Sequence, residues 1–121
     1  MAAALGSNLY IVKYLIEKGA DIHAKNKDGS TVLMYAARSG NLETLKYFVQ
    51  AGLDILARDK NNNTALMSAA RSGNLEVVKY CIEKGVPLNV KDKKGFTALA
   101  YAEKGNFDDV VKYLLSLGAK K

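Results

Sequence analysis

The pair Lys-Tyr stands at Lys13-Tyr14, Lys46-Tyr47, Lys79-Tyr80 and Lys112-Tyr113, each copy 33 residues after the last. A fixed period of that length is the signature of a repeat array, and it constrains the fold more than any composition value. Thr31, Thr64 and Thr97 keep the same step, as do Leu33, Leu66 and Leu99, Ala36, Ala69 and Ala102, and Gly19, Gly52, Gly85 and Gly118. In such an array there is no central core. Each unit buries its apolar face on its neighbours, so stability depends on the interfaces between units and on adequate end units.

One unit, residues 59–91, shows the local logic. Its opening DKNNN is turn chemistry, matched by NKDGS before Thr31 and DKKGF before Thr97. Gly29 and Gly95 sit where a positive φ is cheapest, and Asn62, the next most tolerant type, replaces them in the middle unit. Thr64 is placed to cap a short helix that runs to about Arg71. Its alanines, Ala69 and Ala70, suit close helix–helix approach. Ser72-Gly73 ends that helix and Asn74 can cap the next, with Glu76 in its first turn complementing the helix dipole. Leu75, Val78, Cys81 and Ile82 form an apolar stripe, and Lys84-Gly85 closes the second helix. A short extended return, VPLNVK, leads to the next turn.

The turn, the T-x-L-x-x-A stretch, G-N-L-E-V-V-K-Y and G-A-D-I-x-A resemble the ankyrin repeat over essentially the whole chain. The resemblance implies an all-α solenoid of stacked helix-turn-helix units linked by β-turn or hairpin-like loops. One domain over 1–121 is expected, with a partial unit at roughly 1–25 and full units at 26–58, 59–91 and 92–121. The family's T-P-L-H is departed from in Thr31-Val32-Leu33-Met34, Thr64-Ala65-Leu66-Met67 and Thr97-Ala98-Leu99-Ala100, so its Pro and His are both missing. The resemblance gives that His a structural role, so its loss should soften stability and remove no site. Pro87 replaces Asp21 and Asp54 in one return segment, which stiffens it. In the last unit Gly105-Asn106 comes one residue early relative to Gly73-Asn74, which predicts that one residue has moved into the start of the second helix. The first unit lacks a turn and has only Met1–Leu5 for its first helix, which reads as a chain cut from a longer one.

Little here can support catalysis. His23 is the one histidine and falls in a return segment, where a surface role is the simpler reading. Cys81 takes the place of Leu15, Phe48 and Leu114 on the apolar stripe, so it reads as a small buried hydrophobe and not a nucleophile. No Cys/His set has zinc spacing, and each glycine is explained by a turn or a helix end instead of a phosphate loop. Asp108-Asp109 lies at a helix start and complements the dipole. The chain reads as no enzyme, with no catalytic, cofactor-binding or metal-binding residue. A single cysteine allows no intramolecular disulfide and fits a reducing compartment. No apolar run approaches a membrane span and MAAALGSNLY is no secretory signal, so the cytoplasm is the default location.

The Lys-Tyr pairs follow the repeat and no ligand geometry. Their tyrosines are expected to pack between units with the hydroxyl at the surface, and their lysines to point to solvent on the convex side. The residues that vary within the fixed frame carry more about function. The resemblance implies that partners are gripped by turn tips and by the exposed side of the first helices. That maps onto Lys27, Tyr35, Arg38, Arg58, Lys60, Asn63, Arg71, Lys91, Lys93, Phe96, Tyr101 and Lys104, with Lys25, Asp28, Asn61, Ser68 and Lys94 among their neighbours. The formal charge of +6 is thus concentrated on one face, where Arg beside Tyr and Phe is the composition favoured at binding anchors.

The favoured function is a non-catalytic module binding an acidic segment or surface of another protein. The alternatives are a polyanion such as nucleic acid on the same face, less favoured for want of a recognisable motif, or an engineered repeat scaffold with no natural partner. A solvated face that binds nothing is the bland reading. The protein is expected to be mostly monomeric, with weak self-association conceivable where Leu5, Leu9 and Val12 lack a preceding neighbour.

Overall fold

Side-chain oxygens spaced 33 residues apart begin the helices, because the first backbone N–H groups of a helix have no partner within it. The computed structural model describes residues 32–121. It holds three antiparallel helix pairs: α1 (Val32–Ser39) with α2 (Leu42–Gln50), α3 (Ala65–Ser72) with α4 (Leu75–Glu83), and α5 (Ala98–Lys104) with α6 (Asp108–Ser116). Thr64 Oγ1 accepts from the Met67 amide at 3.3 Å and Thr97 Oγ1 from the Ala100 amide at 3.2 Å. Asn41 and Asn74 cap the outer helices α2 and α4 through the amides of Thr44 and Val77, at 3.2 and 3.0 Å. Each such cap contributes about 1 kcal/mol. The Thr31 cap and every expectation for the partial first unit, including Leu5, Leu9, Val12 and His23, lie outside the described residues.

The inner helices pack in a row, α1 on α3 and α3 on α5, while each outer helix packs back on its own inner partner. Ala36, Ala37, Ala69, Ala70 and Ala102 are fully buried, and their small side chains let the inner helices approach closely. Leu33, Leu66 and Leu99 fill the space between units, and Leu45, Phe48, Val77, Val78, Cys81, Val110 and Leu114 seat the outer helices. Cys81 is fully buried, and burial pushes its thiol up to about 12, as suits an inert core hydrophobe. Thr44 stands where Val77 and Val110 stand in later units; its buried hydroxyl finds no acceptor among the described residues.

One expectation is corrected and another extended. First, no residue has moved in the last unit. Gly73 adopts φ +73°, and the residue 33 positions later with positive φ is Asn106, at +59°, not Gly105, at −86°. Gly105 caps α5 with right-handed backbone angles and Asn106 takes over the left-handed turn, so the backbone keeps its period although the Gly-Asn letters shift. Phe107 therefore occupies the cap position of Asn74, and α6 has no side-chain cap. Second, the outer lysines Lys46 and Lys79 are exposed as expected, and each also reaches a ring of the next unit. Lys46 Nζ lies 5.7 Å from the ring centre of Tyr80 in the next unit, and Lys79 Nζ lies 5.4 Å from that of Tyr113. The outer helices touch one another lightly, so this cation–π ladder bridges them on the convex side.

Candidate partner-binding groove

The turn tips are built by two aspartates. Asp59 Oδ1 accepts from the amides of Asn61 and Asn63 at 2.8 and 2.9 Å, and Asp59 Oδ2 accepts from the Asn63 side-chain amide at 3.1 Å. Asp92 repeats the pattern with the amides of Lys94 and Phe96 at 2.9 and 3.0 Å, and its second oxygen accepts from the Tyr101 hydroxyl. Asn62 and Gly95, at φ +63° and +86°, turn the chain so that these amides converge on one carboxylate. The two tips are tied together: the Lys93 amide donates to the Asn61 carbonyl at 2.9 Å, and the Asn62 side chain donates to the Lys91 carbonyl at 2.8 Å.

Burial opposes ionisation of Asp92. The hydrogen bonds from Tyr101, Phe96 and Lys94, together with the charge of Lys94, outweigh it and hold the carboxyl below its usual range. The same contact acts oppositely on Tyr101: burial first, then the bond to Asp92, push its hydroxyl up to about 12. At neutral pH the pair is a carboxylate accepting from a neutral phenol.

Between the tips and the inner helices runs a groove of about 320 Å³, lined by Tyr35, Arg38, Asp59, Asn61, Asn63, Arg71, Asp92, Lys93, Lys94 and Tyr101. Arg38 lies 5.9 Å from the centre of the Tyr35 ring, Arg71 4.9 Å from that of Tyr101, and Lys104 4.9 Å from that of Phe96. Phe96 and Tyr101 meet edge to face, with ring centres 5.4 Å apart. Stacking engages the flat face of a guanidinium and leaves its N–H edges free, so these rings orient the arginines without consuming their donors.

The residues expected to bind a partner thus fall into groups. Tyr35, Arg38, Asn63, Arg71, Lys93 and Tyr101 come together around the groove, and Phe96 with Lys104 continues it at the C-terminal end. Arg58, Lys60 and Lys91 are exposed on the tips outside that lining, with Arg58 donating to Asn62 Oδ1 at 3.3 Å. Lys27 lies outside the described residues. Tyr101, expected on the exposed side of its helix, is only 8% exposed and forms the floor. Asp59 and Asp92 were absent from the sequence-based set; the signal for them was Asn26, Asp59 and Asp92 keeping the 33-residue step ahead of each turn.

Among the described residues no group of His, Cys, Asp or Glu side chains is placed to hold a metal ion. No helix among them is long and apolar enough to cross a membrane. A family model for ankyrin repeats in three copies matches residues 51–121, and one for ankyrin repeats in many copies matches residues 1–49. Comparison with curated proteins gave no match.

Proposed function

The chain belongs to the ankyrin-repeat family, whose arrays are in general protein–protein interaction modules, and from that premise we propose that its groove binds an acidic segment of another protein. The observation that carries this reading is the asymmetry of free charge. The groove's two carboxylates, Asp59 and Asp92, are already engaged by turn amides and by side chains of their own unit. Its arginines are not so engaged: among the described residues the one ion pair within 4 Å joins Lys121 to Glu103, far from Arg38 and Arg71 in sequence and outside the groove. Cations held over rings and unpaired with carboxylates among the described residues suit a partner that brings its own, and charge would mainly speed encounter and select partners. The proposed module is non-catalytic, mostly monomeric and cytoplasmic.

Reversing Arg38 and Arg71 together to Glu tests this, since both side chains project from otherwise intact helices. A labelled oligoglutamate peptide should bind the wild type and lose at least about 100-fold in affinity on the reversed variant, with helical circular dichroism unchanged. Equal binding by the two proteins would place the site elsewhere. Duplex DNA held more tightly than the peptide, with steep loss on adding salt, would move the reading to a polyanion site.

A further inference from the structure

The groove's cations recur with a pitch, and the pitch selects a partner conformation. Arg38, Arg71 and Lys104 occupy the same position, the last turn of α1, α3 and α5, in three successive units. Helices in direct contact lie about 8–10 Å apart, so these three charges form a row with about that spacing. Arg71 and Lys104 are each held 4.9 Å over a ring, which restricts how far they can swing off the row.

Three peptide conformations can be set against that row. A β-strand puts side chains on one face every second residue, so same-face carboxylates recur at about 7 or about 13 Å and miss the pitch. An α-helix returns to one face after seven residues, about 10.5 Å, which overshoots the pitch at every step. A polyproline II segment has three residues per turn and rises 3.1 Å per residue, which repeats one face every ~9.3 Å in a slender, internally unbonded chain. Aromatic-lined grooves also suit this conformation, and Tyr35, Tyr101 and Phe96 supply the rings.

We propose that the groove takes an acidic segment in the polyproline II conformation, with a carboxylate at every third residue seated in turn on Arg38, Arg71 and Lys104. This rests on the acidic-partner reading above and adds a register to it.

The test uses the whole chain and synthetic peptides. One repeats Glu-Pro-Ala, a second carries the same residues with its glutamates in one block, and a third is helical with glutamate at every seventh position. At about 0.15 M salt, where long-range attraction is largely screened, the Glu-Pro-Ala repeat should bind at least about 10-fold tighter than either control. Arg71→Ala should cost that peptide about 10-fold. In the variant, changing the peptide's central glutamate to glutamine should then cost almost nothing further, as expected for two groups in direct contact. Equal binding of the repeat and block peptides would overturn the register while leaving an acidic partner in place. Tighter binding of the helical peptide would overturn the extended conformation. Failure of all three to bind would remove the acidic-partner reading and this inference with it.

Discussion

The step from the α1–α2 pair to the α3–α4 pair and the step from α3–α4 to α5–α6 use different pins. At the first, Asn74 caps α4 and its side chain donates to the Gly40 carbonyl at 3.3 Å. At the second, Phe107 stands where Asn74 stood, caps nothing, and lays its ring across Gly73 and Gly105. The tips differ in the same sense. Asp59 closes on the Asn63 amide of its own turn, whereas Asp92 reaches the phenol of Tyr101 and through it the ring beneath Arg71. A polar step is followed by an aromatic one. The lesson is that the repeat frame is held by backbone conformation and core volume, while the pins between units can be exchanged.

The largest test of that contrast is Gly73→Ala. A residue with a side chain resists φ +73°, and its Cβ would run into the Phe107 ring. The two effects together should cost about 3 kcal/mol in urea unfolding. Gly52→Ala, at φ +101° with open space around it, should cost only about 1–2 kcal/mol. In Phe107→Ala the steric part disappears, so the double change Gly73→Ala with Phe107→Ala should cost clearly less than the sum. Strict additivity would mean that the ring is no pin.

Next in size is Tyr101→Phe, which leaves the second oxygen of Asp92 without its donor and should cost about 2 kcal/mol. Its pH dependence has a definite sign. The Asp92 carboxyl is held below its ordinary value, so its contribution is present above about pH 4 and is lost as pH falls through the lower folded value. The Tyr101 hydroxyl is raised from 10.0 to about 12, so its contribution is present below pH 10 and is lost as pH rises toward 12. Thermal unfolding across both windows should show both losses in the wild type. Tyr101→Phe should shrink both, leaving the part of the alkaline loss that the buried Cys81 thiol contributes.

The smallest effect compares the units themselves. Val77 and Val110 occupy the place of Thr44, so Thr44→Val removes, at nearly constant volume, a buried hydroxyl with no partner among the described residues. It should raise stability by about 1 kcal/mol, visible as a higher urea midpoint with an unchanged slope. A loss would mean that the hydroxyl is satisfied in solution.

Much of the frame was legible in the chain itself. The caps at Thr64, Thr97 and Asn74 and the positive φ at Asn62 and Gly95 depend on residues within a turn or two of one another, and the burial of Cys81 follows from its place on the apolar stripe that the 33-residue period marks. Local chemistry of that kind is written where it acts. What only the tertiary structure decided depends on partners one repeat away. The Gly105-Asn106 letters suggested a shift because they were matched by type, while the stacked backbone made Asn106 the turn residue and gave Gly73 and Gly105 the Phe107 ring. Tyr101 read as an exposed contact until Asp92 claimed its hydroxyl and Arg71, from the preceding unit, covered its ring. Lys46 and Lys79 are exposed as their sequence suggested, yet each also lies over the tyrosine of the next unit. A periodic sequence specifies each unit and its faces; which side chains meet across the join is decided only when the helices pack within about 8–10 Å of one another.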